Sequence, residues 1–414
     1  MRKRSFWATL LFGFSLFVFL IGWTQSAAAF TEEQKLLLQS WRLVNQSYID
    51  ETFNHQNWWL VRQKYLKKPL SNREETYTSI EEMLATLDEP FTRLLRPEQY
   101  HNLQVSTAGE LSGIGLQINL NPETGQLEVV APLAGSPAEA AGIAAHDRIL
   151  EIDGIETSTL TLDEAAAKMR GTRGTKVSLT IQPNNASDGK TRQIDIVRDR
   201  ISLSPVFATL DEHTPTLPIG YVRLSQFSAN AAQEIAHAIK KLDKQGARAY
   251  ILDLRNNPGG LLQAGIEIAR LWLDEGAIVY TVNRQGMLDS FTASSSSLTK
   301  APLAVLVNQG TASASEILAG ALQDNERAVL VGEKTFGKGL IQSLFELPDG
   351  AGLAITVAKY ETPSHKDIHK AGIAPDRLIA QDPITYQQIG TEEDKQYQAA
   401  VKILSERTVL AKVD

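Results

Sequence analysis

The sequence of 414 residues predicts a multidomain protein of mixed α/β and α+β class, and three changes of texture along it carry that prediction. Apolar residues recur at helical spacing from residue 31 to about 87. Short strand-like runs punctuated by Gly, Pro and Asp follow between about 104 and 200. From about 201 onward strands alternate with amphipathic helices, the pattern of an α/β layer with mostly parallel strands. The length also exceeds what a single core usually holds.

Taken in order, residues 1–29 combine Arg2, Lys3 and Arg4 with an apolar run from about Phe6 to Trp23 and a small-residue stretch ending at Ala27-Ala28-Ala29, the layout of a secretory signal peptide. An uncleaved membrane anchor is the other reading of that run. Removal of the segment takes away three positive charges and no acid, moving the formal net charge from −7 to −10, a poor balance for nucleic-acid binding. Residues 30–103 form an expected helical domain in which Leu37, Leu38, Trp41, Val44 and Tyr48 share a face. Residues 104–200 form a second domain with strands at 127–131, 148–152 and 176–182 and short helices at 136–141 and 162–169. Residues 201–414 form the third, opening with strand 219–224, helix 230–242, strand 249–254 and helix 261–274. The chain has no cysteine, which excludes disulfides, thiolate metal sites and a cysteine nucleophile together.

Within the third domain, residues 301–309 (APLAVLVNQ) read as a strand entering a turn at Gly310, and 317–323 as an apolar helix, so a helix begins near Ser313. A serine there stands where unpaired backbone N–H groups and the helix dipole favour developing negative charge. An ordinary N-cap at Ser313 or Ser315 is the bland alternative. A serine nucleophile needs a base. His365 and His369 are four residues apart, but in a turn-like segment without the helical metal motif. Lys338 is the better candidate: Gly337 and Gly339 let the chain turn tightly, Phe336, Leu340 and Ile341 could form an apolar surround that favours the neutral amine, and Gln342 could orient it. A solvent-exposed turn is the alternative for Lys338, and Lys334 is the alternative base. The stretch 332–338 (GEKTFGK) imitates a phosphate-binding loop, but Gly339 stands where Ser or Thr is required and a strand follows in place of a helix. A second glycine turn, 253–260 (DLRNNPGG), ends a strand and could aim a backbone N–H at a substrate oxygen, with Asp253 and Arg255 paired structurally.

The stretches 253–260 (DLRNNPGG), 308–316 (NQGTASASE) and 335–342 (TFGKGLIQ), in that order and spacing, resemble the signature of the carboxyl-terminal processing proteases. The resemblance implies a ClpP/crotonase-like protease core. It implies Ser313 as nucleophile, Lys338, 25 residues on, as general base, Gln342 beside it, and backbone N–H groups of Gly259 and Ala314 as an oxyanion hole. Asp324, 11 residues after Ser313, falls on an acid of the family with a supporting part. Residues 109–116 (GELSGIGL) resemble the carboxylate loop of a PDZ domain, which would place a substrate tail at Leu111, Ser112, Gly113, Ile114, Gly115 and Leu116; 136–142 (SPAEAAG) resembles its short helix. Arg170 matches an arginine that couples the PDZ domain to the active site in some relatives. The N-terminal segments 47–50, 57–59 and 87–93 (LDEPFTR) resemble the cyanobacterial and plastid subgroup, whose substrate is the precursor of a photosystem II reaction-centre protein. The expectation is a serine endopeptidase working by a Ser-Lys dyad without metal or organic cofactor, exported to the thylakoid lumen or periplasm. Its partners would be a protein substrate's carboxyl-terminal tail, with the photosystem II precursor as candidate, and a peripheral membrane contact. A general periplasmic quality-control protease and a non-catalytic PDZ scaffold are the competing readings.

Overall fold

The computed structural model describes residues 30–410 apart from 122–123, 134, 185–189 and 212–216; the expected leader, 1–29, lies outside them. No helix among the described residues is long and apolar enough to cross a membrane. The chain divides into two compact units, one built from residues up to Pro97 together with Gln342–Thr356, the other from Glu98–Ile341 and Val357 onward.

Among its described residues the first unit holds three helices, α1 (Glu32–Ser47), α2 (Trp58–Leu66) and α3 (Arg73–Ala85), and the short strand β1 (Arg93–Leu95). Each helix starts where a side chain caps it: Thr31 with Gln34 in a capping box, then Asn57 and Asn72. The predicted stripe is real, with Leu37 and Val44 fully buried and Tyr48 nearly so. β1 pairs antiparallel with Gly352–Ala354.

The second unit opens with α4 (Pro97–Ala108) and β2 (Glu110–Gly113), followed by a sheet of β3 (Leu116–Leu120), β4 (Leu127–Pro132), β5 (Arg148–Ile152), β6 (Ile155–Glu156), β7 (Lys176–Gln182) and β8 (Arg192–Val197). The one-turn α5 (Pro137–Ala140) and α6 (Leu162–Met169) pack on it over Ile114, Val129, Ile149, Val177 and Leu179. β9 (Asp199–Ser202) pairs with β2 in a separate two-stranded ribbon.

The remaining elements are β10 (Val206–Asp211), β11 (Ile219–Leu224), α7 (Ala231–Lys244), β12 (Ala249–Asp253), α8 (Leu262–Arg270), β13 (Ala277–Asn283), β14 (Gly286–Thr292), β15 (Leu303–Val307), α9 (Ala314–Asp324), β16 (Ala328–Gly332), β17 (Leu340–Glu346), β18 (Gly352–Glu361), β19 (Arg377–Leu378) and α10 (Lys395–Leu410); β17 from Gln342 and β18 as far as Thr356 belong to the first unit, and the rest form an α/β core. Strand order is β10-β11-β12-β15-β16-β19, parallel throughout except for the antiparallel edge strand β10. β12, β15 and β16 are buried along their whole length, as parallel strands covered on both faces must be. α7, α8 and α9 cover one face of this sheet and α10 the other. The sequence reading missed the hairpin β13–β14, whose bulged register breaks the alternation a strand would otherwise show.

Candidate active site

β15 is a fully buried strand whose chain must turn at once into α9, and the turn is fixed by side chains from its own ends. Asn308 Oδ1 accepts the N–H groups of Gly310 (3.0 Å) and Asn256 (2.9 Å), and the Thr311 hydroxyl donates to the Leu254 carbonyl (2.8 Å). These bonds deliver Ser313 to the N-cap of α9 with φ 58° and ψ −118°. For a residue with a Cβ such a backbone costs roughly 1–3 kcal/mol and persists only where the surroundings impose it. The capping reading holds in that Ser313 is the N-cap and Glu316 closes a capping box with it, the Glu316 N–H also donating to the Ser313 carbonyl (2.8 Å); the backbone is what sets this cap apart from an ordinary one.

Glu316 imposes the geometry. Its fully buried carboxylate reaches back to the Ser313 N–H (2.9 Å) and across to the Lys338 N–H (2.8 Å), both on Oε2, while Oε1 accepts the Gly337 N–H (2.7 Å) and the Thr335 hydroxyl (2.5 Å). Four donors thus replace the water such a group loses on burial. The Tyr360 hydroxyl lies 3.0 Å from the Ser313 carbonyl oxygen and 2.7 Å from that of Lys338. Ser313 and Lys338, expected from their local sequence and from the motif resemblance, are therefore brought together by two residues to which the sequence reading assigned no role.

Lys338 is half-buried, and its flanking glycines are required by close approach. A Cβ on Gly337 would stand 2.9 Å from the Gly372 nitrogen, and one on Gly339 would stand 2.8 Å from that of His369. Leu340 is buried as expected, but Phe336 is 58% exposed and does not shield the lysine, because the alternate residues Thr335 and Gly337 take the inward positions. β17 follows the loop, so the phosphate-loop imitation fails on structure as it did on sequence.

The Asp253–Gly260 turn arrives at the same place. Gly259 (φ 98°) lies against the Ser313 turn so closely that a Cβ would be 2.7 Å from the Ala312 oxygen and 2.9 Å from both Ala314 N and Ser313 Cβ. Asn257, fully buried, organises this contact: its carbonyl accepts the Ala312 N–H (3.0 Å) and the Ser315 hydroxyl (3.0 Å), its amide donates to the Leu224 carbonyl (2.8 Å), and its Oδ1 accepts the Gly259 N–H (2.9 Å). Asp253 and Arg255 do pair structurally, in a buried cluster closed by Asp394 (2.8 Å) and by the Tyr221 hydroxyl on Asp253 (2.7 Å). Burial pushes the Asp394 carboxyl up, but the hydrogen bonds and charge of Arg255 outweigh it and hold the group below the usual carboxylate range.

A strand-turn-helix serine with a glycine turn packed on it, and a glycine-flanked lysine held by the same glutamate, make up the arrangement that known proteins share. The family profile of peptidase family S41 matches residues 218–379, and the PDZ profile matches 102–182. The carboxyl-terminal-processing protease of Synechocystis sp. is 68% identical over 413 residues, covering 99% of this chain and 96% of that protein. The chain belongs to the carboxyl-terminal-processing proteases. The chloroplastic carboxyl-terminal-processing peptidase 2 of Arabidopsis thaliana is 46% identical across 84% of this chain and 69% of its own. A solved structure of a photosystem II D1 C-terminal processing protease is 40% identical and superposes with a TM-score of 0.55, covering 85% of this chain and 94% of that one.

In this protease the PDZ segment places its expected tail-binding residues unevenly. Leu111, Ser112 and Gly113 lie in β2, paired with β9, and the Ser112 hydroxyl donates to the Gly171 carbonyl (2.7 Å). Gly115 (φ 79°) turns the chain into β3 where a Cβ would be 2.3 Å from that of Ser136, and Leu116 begins the strand. Ile114 departs from the expectation: its side chain is 1% exposed in the domain core, so it meets a substrate tail through its backbone or not at all. Arg170 is brought to the loop, its Cα 3.3 Å from where a Gly113 Cβ would be. Asp324 lies at the far end of α9 from Ser313, its carboxylate accepting the Ser364 N–H (3.0 Å) and hydroxyl (2.7 Å) and facing Lys366 (3.6 Å), a local structural part. Gln342 belongs to the first unit, where its amide donates to the Thr356 hydroxyl (3.2 Å), itself bonded to Glu89 of the LDEPFTR stretch (2.7 Å).

The sequence reading missed Glu316, Tyr360 and Asn257. Glu316 had a local signal, the S-x-x-E pattern of a capping box starting at Ser313. Asn257 was inside a quoted motif without a role, and Tyr360 had no signal because its partners are 22 and 47 residues away.

Proposed function

We propose that this protease cleaves near the carboxyl terminus of its substrate with Ser313 as nucleophile and Lys338 as general base. The observation that carries this reading is the single Glu316 oxygen that holds the N–H groups of both residues. Neutral Lys338 takes the Ser313 hydroxyl proton as the serine oxygen attacks the scissile carbonyl, gives it to the leaving amine, and later activates the hydrolytic water. The oxyanion is received by the N–H groups of Ala314 and Gly259, the latter leaving Asn257 Oδ1 as negative charge develops. Gln342 supports Lys338, as its place in the motif implies, and Asp324 acts only through the fold.

Upstream, the loop 111–116 receives the tail carboxylate and Arg170 links that event to the core. The domain layout that fits these roles is a leader at 1–29, a helical domain at 30–103, a PDZ domain at 104–200 and a protease core at 201–414. The likeness to a photosystem II D1 processing protease supports the D1 precursor as substrate, met in the thylakoid lumen or periplasm. The test is turnover of a peptide carrying a D1 precursor tail by the exported protein beside Ser313→Ala and Lys338→Ala. Cleavage lost in both variants is expected; equal cleavage by all three overturns the dyad.

A further inference from the structure

Glu316 accounts for only half of what holds Ser313 and Lys338. Each residue has its N–H on Glu316 Oε2 and its carbonyl oxygen within hydrogen-bond reach of one hydroxyl, that of Tyr360. Two residues 25 apart in sequence are thus held, N–H and C=O alike, by the same two atoms.

The Tyr360 side lacks slack. The residue is 1% exposed on β18, its backbone is paired with Thr281 of β13, and its N–H donates to the Gly339 carbonyl (3.0 Å). Burial raises its hydroxyl well above the usual phenol value, with the Glu316 and Asp367 charges adding to the effect, so it remains a donor at every pH at which the enzyme works. A phenol carries one proton, so two carbonyl oxygens converge on a single donor and share it. Without that hydroxyl nothing ties the Lys338 carbonyl to the Ser313 carbonyl, and the separation of the two chain segments is no longer set from this side. The Ser313 carbonyl also accepts the Glu316 (2.8 Å) and Ile317 (3.0 Å) N–H groups, which anchor it to α9, so the tyrosine hydroxyl sets where the Lys338 carbonyl lies relative to that fixed point.

We propose that Tyr360 is a positioning residue for the reaction, its hydroxyl setting the separation of Ser313 and Lys338 and with it the rate of proton transfer from serine to lysine. The proposal rests on the Ser313–Lys338 reading above. It assigns Tyr360 no contact with substrate, so loss of the hydroxyl acts on the chemical step and leaves binding alone.

The test is Tyr360→Phe, which keeps the ring that fills the core. Each protein is assayed equally far below its own Tm and normalised to folded fraction by near-UV circular dichroism, on a tail peptide and with a small fluorophosphonate that labels an activated serine. The expected result is a fall of about 10–100-fold in kcat and in labelling rate with KM within about twofold, the size a sub-ångström misplacement of reacting groups produces. A second measurement guards against a purely structural effect: placed on Lys338→Ala, Tyr360→Phe should change the residual labelling rate less than twofold, because the partner it positions is gone. Labelling and kcat equal to wild type, a rise in KM at constant kcat, or the same fold-loss in both backgrounds would each overturn the proposal. Ser313→Ala separates the two levels: if it is labelled and turns over like wild type, the dyad reading falls and this inference with it, whereas an inert Ser313→Ala beside a fully active Tyr360→Phe removes the inference alone.

Discussion

At Ser313 and Lys338 the peptide groups end on two buried side chains, Glu316 and Tyr360, whereas in the 111–116 loop they end chiefly on other backbone: β2 on β9, and the Gly115 carbonyl on the Leu133 N–H (2.9 Å) with the Ser136 hydroxyl (3.2 Å) in addition. The difference matches what each place must do. Proton transfer and attack tolerate little displacement, so the groups that set it are fixed by buried, charge-assisted bonds. A chain end is caught by adding it to a strand edge, where backbone pairing supplies the affinity.

Substitutions can break that contrast from either side. The largest effect is expected for Glu316→Ala, which strands four donors in a dry site. At about 1–3 kcal/mol for each group left unsatisfied, the variant should lose much of its stability and essentially all turnover, read by calorimetry and a peptide assay. Gly259→Ala comes next. Its Cβ would meet the Ala312 oxygen at 2.7 Å from a backbone at φ 98°, and if Gly259 has the proposed oxyanion role the loss of that donor is worth roughly 10²–10³ in kcat, so turnover should fall at least that far in a protein that still folds.

Asp394→Asn breaks the buried Arg255 pair and should cost about 3–5 kcal/mol of stability while leaving kcat per folded molecule unchanged. Because the folded state depresses this carboxyl, its contribution is fully present above the unfolded carboxylate range and is lost as pH falls through the folded value. In Asp394→Asn that part of the acid-side loss of stability disappears, which denaturant melts across pH 2–5 will show. The smallest effect is expected on the recognition side: Ser112→Ala removes one bond to the Gly171 carbonyl, worth about 1 kcal/mol, and should raise KM for tail peptides up to about fivefold with kcat intact. A change in kcat there would dissolve the distinction between the two regions.

Much of this was legible in the amino-acid order. The strands 148–152, 176–182 and 219–224 and the helix 162–169 were read with the bounds they have, because turn or cap residues flank each run: Asp147 and Asp153, Gly174 and Pro183, Pro218 and Ser225, Thr161 and Gly171. Ser313 was legible as the start of a helix after a buried strand, and Lys338 as a lysine between two glycines. The surround of Lys338 was misjudged at Phe336, since apolar neighbours in sequence need not turn to the same side once a glycine at positive φ intervenes.

By itself the sequence determined the class of most segments, the β13–β14 hairpin excepted, the strand-turn-helix that presents Ser313, and the identity of the motifs, since periodicity and turn chemistry are local properties of the chain. Tertiary structure decided which polar atoms meet. Glu316 finds donors 19 to 22 residues away, Tyr360 an acceptor 47 away and Arg255 a partner 139 away. Such pairings follow no period; they arise where burial brings loops together and leaves their peptide groups no water to bond.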